Sequence, residues 1–196
     1  MSGGTRRVFV AGASGLIGVR LVPLLVAAGH TVAGMTRTPE KAAGLRALGA
    51  EPVVADALDR EALVRAVGAF APDLVMHQLT DLPDDAADLP ARRPAHARLL
   101  REGTDNLVEA AGGARVVAQS IAWQPGGETG SAYEALEAAV LATGGAVLRF
   151  GQFYGPGTYY EHELPDHPRI HIDEAARRAF EAMDAEGVIL AAEERS

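Results

Sequence analysis

Three glycines near the start of the chain have the spacing expected of a diphosphate-binding turn. They follow one another at intervals of three residues, after a short apolar run and at the start of a helix-like pattern. The first glycine allows a tight turn, the second lets backbone N–H groups approach a phosphate, and the third allows close packing of the helix. The motif predicts a dinucleotide site, and the alternative is a tight strand-to-helix turn without a ligand. The predicted contacts in this turn are Gly12, Ser14, Gly15, Leu16, Ile17 and Gly18.

The end of the second apolar run bears on which dinucleotide is bound. Residues 35–38 read Met-Thr-Arg-Thr, with no carboxylate to accept a hydrogen bond from a ribose 2′-hydroxyl. Arg37 is instead suited to a charge-assisted contact with a 2′-phosphate. The sequence therefore favours NADP(H) over NAD(H), while NAD(H) stays open. The other interpretation of Arg37 is a solvated surface charge that pairs with Glu40.

The elements that must position these residues alternate regularly along the chain. Apolar runs predict strands over 7–11, 31–36, 52–55, 73–79, 116–120, 146–150 and 188–191. Helical spacing predicts helices over 16–28, 40–48, 60–70, 95–111, 132–143 and 173–184, with Pro23 inside the first and Asp173 as N-cap of the last. Residues 81–94 are expected to form a polar loop.

This order predicts an α/β fold, a Rossmann-like doubly wound parallel sheet with helices on both faces. We expect a single NAD(P)-binding domain over 1–196, in which 151–196 form a minimal C-terminal substrate region.

Composition excludes several other classes. The chain has 196 residues, 48% of them apolar, a net charge of -8 and no cysteine, which argues against nucleic-acid binding and disulfides. The sequence has no uninterrupted apolar stretch long enough to span a membrane and no leader-like start, so we predict a cytoplasmic protein. His162, His167 and His171 have spacings interrupted by prolines that match no rigid metal-binding pair, so no metal is predicted.

Further segments carry a family resemblance that extends over most of the chain. Besides the glycine motif they are 54–57, 75–79, 103–111, 117–120, 148–157 and 169–176. With them the chain resembles the extended and atypical short-chain dehydrogenase/reductase superfamily, in particular its NAD-dependent epimerase/dehydratase-like group.

The resemblance implies coenzyme contacts beyond the glycine turn. Asp56, followed by Ala57, would lie near the adenine amino group, Leu79 near the ribose and nicotinamide, and Phe153 along the nicotinamide pocket. Asp56 has a second interpretation as a turn or N-cap aspartate. His77 is either close to the coenzyme or a hydrogen-bonded core histidine.

The resemblance also defines what is missing for catalysis. Catalytic members use a tyrosine four residues before a lysine, with a serine or threonine on the fifth strand. Ser120 occupies the serine position, but the one lysine of the chain is Lys41, so no such pair exists. Tyr133 is either the family tyrosine, with Glu137 in the lysine's place, or it stands in the lysine's place itself, with Thr129 in the tyrosine's.

These observations predict an NADP(H)-binding oxidoreductase-like protein that acts on a small carbonyl or alcohol, with Ser120 polarising the substrate and Tyr133 as a candidate acid. Candidate walls for a small or flat substrate are Trp123, Phe153, Tyr154, Tyr159 and Tyr160. The alternatives are a non-redox NAD(P)-binding sensor or interaction protein, and an isomerase, dehydratase or cyclase. The resemblance also implies a homodimer formed through the helices over 95–111 and 132–143.

Overall fold

A parallel sheet of seven strands forms the centre of the computed structural model, which describes residues 4–194. The strands of the chain are β1 Arg7–Ala11, β2 Thr31–Thr36, β3 Glu51–Val54, β4 Leu74–His77, β5 Arg115–Ile121, β6 Ala146–Phe150, β7 Gln152–Tyr154, β8 Arg169–His171 and β9 Gly187–Ala191. The large sheet has the order β3-β2-β1-β4-β5-β6-β9. Strands β7 and β8 pair separately, also in parallel.

Helices cover both faces of this sheet. They are α1 Gly18–Ala27, α2 Ala42–Ala47, α3 Arg60–Phe70, α4 Leu89–Arg98, α5 Thr104–Ala111, α6 Gly127–Ala142 and α7 Ile172–Glu181. Apolar residues of α1, α2 and α7 pack into one core cluster, and those of α3, α4, α5 and α6 into the other. Each fully buried Leu or Phe side chain in these clusters contributes about 1.5–3 kcal/mol to folding.

The strand order reverses direction between β1 and β4, which lie side by side at the centre of the sheet. In open parallel sheets this reversal leaves a crevice outside the carboxyl ends of the strands, because the flanking connections run to opposite sides. The turn after β1 and the residues that follow β4, β5 and β6 therefore meet at one edge. The predicted α/β fold class is confirmed.

The fourth helix begins earlier than the sequence pattern indicates. The polar loop predicted over 81–94 is wrong in its second half, because α4 already begins at Leu89 and contains Pro94. Residues 90–95 are all exposed, so this part of the helix has no apolar face to produce a helical period. A π-helical segment, Leu99–Gly103, joins α4 to α5.

The start of α7 also differs from the prediction. Asp173 is not its N-cap, because the helix begins at Ile172 and the cap is His171, whose imidazole accepts a hydrogen bond from the Asp173 N–H group. The small β7–β8 sheet was not predicted, since three-residue strands carry almost no periodic signal.

Candidate functional site

The glycine turn between β1 and α1 excludes side chains for two different reasons. At Gly12 the φ angle is +85°, and a Cβ atom would lie 2.4 Å from the carbonyl oxygen of Gln78. At Gly18 a Cβ atom would lie 2.4 Å from the Gly12 carbonyl oxygen. Gly15 is exposed, its φ lies outside the left-handed region, and its Cβ would approach only the Gly12 oxygen, at 3.3 Å. The fold itself therefore requires the outer glycines, and it leaves the space in front of Gly15 open.

The backbone of this turn presents N–H donors that have no acceptor in the described part of the chain. Among residues 4–194, no hydrogen-bond acceptor is found for the N–H groups of Ser14, Leu16 and Ile17. They lie at the N-terminus of α1, where the helix dipole favours negative charge. The open space at Gly15 and these free N–H groups fit a diphosphate.

The side chain of Ser14 holds the turn against the second strand. Its hydroxyl donates to Thr36 Oγ1 at 2.9 Å, and Thr36 is the buried last residue of β2. The hydrogen bond links the glycine turn to the strand end that precedes Arg37.

Arg37 lies at this strand end and pairs with a residue that the sequence analysis missed. Its guanidinium donates to the carboxylate of Asp81, which is only 8% exposed and follows β4. A second arginine, Arg92 on α4, lies 3.7 Å from the same carboxylate. Arg37 itself stays 56% exposed. Asp81 lies in the segment predicted as a polar loop, and the three-dimensional fold brings it to Arg37.

Asp56 and Ala57 form the turn after β3. The Asp56 carboxylate accepts from the Leu58 N–H group at 2.9 Å, while Asp59 caps α3 by accepting from Ala62. The Ala57 carbonyl accepts from the side-chain amide of Asn106 at 2.9 Å. Asp56 thus makes the contact expected of a turn aspartate, and its side chain is exposed at the edge of the sheet.

His77 is completely buried at the end of β4, and both of its ring nitrogens have partners. Nδ1 accepts from the Leu79 N–H group at 3.3 Å, so in the neutral ring Nε2 carries the proton and donates to Thr104 Oγ1 at 2.8 Å. Burial lowers the pKa of His77 to about 4. This geometry matches the core-histidine interpretation.

The buried state of His77 leads to a prediction about stability. Its pKa of about 4 in the folded protein lies below 6.5, the ordinary value, so in this range the unfolded chain binds more protons. The free energy of unfolding should therefore fall as pH drops from about 6.5 to about 4, by about 3 kcal/mol from this residue. Denaturant unfolding of wild type and His77→Gln at about pH 7 and about pH 4.5 measures the difference.

The glutamine variant keeps a donor for Thr104 but has no titrating ring, so the difference between the two proteins isolates the contribution of His77. Equal losses of stability in the two proteins on acidification would show that His77 is not the group responsible.

Ser120, at the end of β5, donates its hydroxyl hydrogen to Glu137 Oε1 at 2.6 Å. Glu137, on α6, also receives two hydrogen bonds from the guanidinium of Arg149 on β6. Burial alone would raise the pKa of Glu137, but the hydrogen bonds from Arg149 and Ser120 outweigh it and lower that pKa. Glu137 is therefore a carboxylate that holds Ser120 in place.

Tyr133 lies one helical turn before Glu137 and contacts a different partner. Its hydroxyl oxygen is 3.1 Å from Nε2 of His96, a buried histidine of α4. His96 Nδ1 accepts from the Asp81 N–H group at 3.2 Å. Burial raises the pKa of the Tyr133 phenol. This contact could not be predicted from the sequence, because the two residues lie 37 positions apart in the chain.

The segment around Phe153 lies against the glycine turn. Arg20 of α1 donates to the carbonyl groups of Leu16 and Pro156, at 2.9 and 2.8 Å. A Cβ atom at Gly157 would lie 3.3 Å from Leu16 Cδ1. The Phe153 ring packs on Phe150, with centroids 5.5 Å apart.

The other candidate walls divide between two locations. The Tyr159 hydroxyl donates to the carbonyl of Pro83 and so bridges to the segment after β4. Tyr154 instead donates to Glu193, near the end of the described chain, and Tyr160 donates to Gln152. Trp123 is 42% exposed after β5. Tyr159 therefore links its own segment to the residues after β4, while the hydroxyls of Tyr154 and Tyr160 are engaged elsewhere.

Two further features concern residues 4–194 as a whole. No cluster of at least three His, Asp or Glu side chains is arranged to hold a metal ion. In the same residues no helix combines the length and apolar character needed to cross a bilayer.

The switch point of the sheet, the free N–H groups of the glycine turn and the neighbouring arginine together define a dinucleotide-binding protein of the Rossmann type. Residues 12–123 match a family model described as NAD(P)H-binding. Because this match covers more than half of the chain, the protein belongs to that NAD(P)H-binding family.

Two curated relatives are named as reductases. A 3-diazoavenalumate denitrifying reductase from a Streptomyces species is 38% identical over 225 aligned residues, which cover 92% of this chain and 73% of the relative. A 4-hydroxy-2-methyl-3-oxo-4-farnesyl-3,4-dihydroquinoline-1-oxide ketoreductase from Stigmatella aurantiaca is 34% identical over 113 residues, covering 56% of this chain and 31% of the relative. The first alignment is longer than this chain of 196 residues, so that relative contains insertions.

Solved structures share the fold. A UDP-glucose 4-epimerase from Thermotoga maritima and the Bordetella bronchiseptica enzyme WbmH, in complex with NAD+, each superpose with a TM-score of 0.78 at 18% identity. Each match covers 96% of this chain, and 77% and 76% of the respective structures. The predicted family resemblance is confirmed, and so is the oxidoreductase-like character of the chain.

Proposed function

We propose that the protein is an NADPH-dependent reductase that transfers a hydride to a small, flat substrate. The observation that carries this proposal is the set of free N–H groups of Ser14, Leu16 and Ile17 around the open Gly15. These groups would bind the diphosphate of the coenzyme, and the relative of 38% identity is named as a reductase.

Arg37 supports the choice of NADPH. It follows β2, and residues 35–38 at that strand end include no carboxylate that could accept from a ribose 2′-hydroxyl, while its own guanidinium is more than half exposed. A 2′-phosphate would add a second anionic partner beside Asp81, with charge-assisted hydrogen bonds. The turn of Asp56 and Ala57, fixed by Asn106, would border the adenine.

The protein's own contribution would be to bind, orient and exclude water. When bound, the coenzyme supplies the hydride itself. Leu79 and Phe153 would form apolar walls at the nicotinamide, and Tyr159 would limit access of water through its contact with Pro83. Tyr133 would donate a proton to the reduced substrate, and Ser120 would orient the substrate once its hydroxyl turns from Glu137.

The missing lysine favours substrates that need little acid catalysis. Lys41 lies beside the predicted adenosine end, so no lysine supports Tyr133. An aryl diazonium ion is such a substrate, because hydride addition gives an aryl diazene that loses N2 and leaves the arene. The name of the Streptomyces relative refers to a diazo compound, and this substrate class is our second candidate beside small carbonyls.

The test is a steady-state screen of the purified protein with NADPH and NADH against small aldehydes, ketones, quinones and aryl diazonium salts. We expect oxidation of NADPH with at least one probe. With a carbonyl probe, kcat should fall by about 100-fold in Tyr133→Phe if the phenol is the acid, and also in Ser120→Ala. Ser131→Ala is the matched control. It alters an exposed serine of α6, the helix that carries Tyr133, and should keep wild-type activity.

Tight binding of NADPH without turnover of any probe would contradict the proposal and favour a sensor. Interconversion of a substrate without net oxidation of NADPH would favour an isomerase, dehydratase or cyclase. The homodimer and the cytoplasmic location remain predictions.

A further inference from the structure

A directed chain of hydrogen bonds runs from the backbone of Asp81 through His96 to Tyr133. The Asp81 N–H group can only donate, so His96 Nδ1 must be the acceptor, at 3.2 Å. In the neutral imidazole the proton then resides on Nε2, which faces the Tyr133 hydroxyl at 3.1 Å. The ring of His96 meets that of Tyr133 edge-on, with centroids 5.8 Å apart. The backbone of Asp81 thus fixes the direction of the whole chain.

The surroundings of His96 keep its ring neutral. Its side chain is buried, and burial lowers its pKa, while the carboxylate of Asp81 acts in the opposite direction. That carboxylate is itself paired with Arg37 and lies near Arg92. A proton on Nδ1 would also displace the Asp81 N–H group, so charging the ring breaks the contact that orients it.

The phenol of Tyr133 is consequently left with one free proton. Its oxygen accepts from His96, and among residues 4–194 no acceptor is found for its own hydroxyl hydrogen. Tyr133 stands on α6, the helix that also places Glu137 against Ser120 at the end of β5. The phenol of Tyr133 therefore still has a proton that it can donate, as the proposed reaction requires.

We propose that His96 is the positioning residue of Tyr133, holding the phenol as a donor to an oxygen of the bound substrate. The inference rests on the proposed function for the identity of the acceptor. As hydride reaches the carbonyl carbon, the phenol proton passes to the carbonyl oxygen, and the phenolate keeps the hydrogen bond from His96 Nε2. This donor takes over part of the support that a lysine gives in catalytic relatives.

The same geometry excludes His96 as a proton relay. To pass its Nε2 proton to the phenolate and stay neutral, the ring would have to take up a proton at Nδ1, which the Asp81 N–H group occupies. The phenolate is reprotonated by water after the product leaves. His96 acts through Tyr133 and does not touch the substrate.

The first test needs neither coenzyme nor substrate. Nitrogen NMR of histidine-labelled protein reports which ring nitrogen carries the proton, and His96→Gln assigns the resonances. We expect Nε2 protonated and Nδ1 bare at neutral pH. An imidazolium ring, or a proton on Nδ1, would overturn the inference.

The second test measures steady-state oxidation of NADPH by the carbonyl probe that the wild type reduces fastest. His96→Leu should lower kcat by about tenfold or more with little change in KM, because the donor to the phenol is lost. His96→Gln, whose side-chain amide can still donate, should recover most of the rate. In a Tyr133→Phe background, His96→Leu should have no further effect.

Unfolding midpoints of each variant separate loss of positioning from loss of the fold. Equal rates for wild type and His96→Leu would overturn the inference and leave the proposed function intact. A wild type that reduces no carbonyl probe would instead count against the proposed carbonyl reaction, and the tautomer measurement would then decide the orientation of Tyr133 by itself.

Discussion

We expect the Gly15→Val protein to fold like the wild type and to lose at least about 100-fold in affinity for both NADPH and NADH, the equivalent of two lost charge-assisted hydrogen bonds. The reason is the position of the new side chain, which would stand in front of the free N–H groups of Ser14, Leu16 and Ile17. Calorimetric titration with both coenzymes and a thermal unfolding curve measure the two halves of this prediction.

Two other glycines provide the comparison. Gly44→Val, at an exposed helical position where a Cβ meets nothing within 4 Å, should leave coenzyme affinity unchanged. Gly12→Val should instead destabilise the fold itself, because its Cβ would lie 2.4 Å from the Gln78 carbonyl oxygen and its φ is +85°. Wild-type affinity in Gly15→Val would remove the basis of the diphosphate site.

The second large effect concerns the choice between the two coenzymes. Arg37→Asp should weaken NADPH binding by about 100-fold and leave NADH binding within about threefold, because a 2′-phosphate would lose a guanidinium and meet a carboxylate. Parallel titrations of wild type and variant with NADPH and NADH measure the reversal.

Arg37→Gln is the gentler companion variant, since it removes the charge without placing a second carboxylate beside Asp81. Arg65→Asp, at a 71% exposed position on α3, controls for the change in net charge. A wild type that binds NADH as tightly as NADPH would show that Arg37 does not select the phosphate.

The bounds of a helix or strand could be predicted best from the sequence where its apolar residues are buried in the core. β2, β6 and α3 have the predicted bounds, because the two strands are almost wholly buried apolar runs and the buried residues of α3 follow a helical period. The start of α4 was missed because it is exposed and contains Pro94. The local sequence pattern therefore locates a helix or strand only when that element buries apolar residues in the core.

The glycine turn could be found from sequence because its residues are neighbours in the chain. The partners of Arg37 and Tyr133 could not be, since Asp81 lies 44 residues from Arg37 and His96 lies 37 residues from Tyr133. Such pairs depend on how α4 and the residues after β4 fold back over the sheet edge. Composition and spacing do not contain that information.

Asp81 joins two parts of the protein that a designer would wish to alter separately. Its carboxylate pairs with Arg37, and its backbone N–H group orients His96 and, through it, Tyr133. We therefore expect substitutions of Arg37 to affect the support of the candidate acid as well. A variant selected for NADH will need a compensating change near residue 81 to keep its turnover.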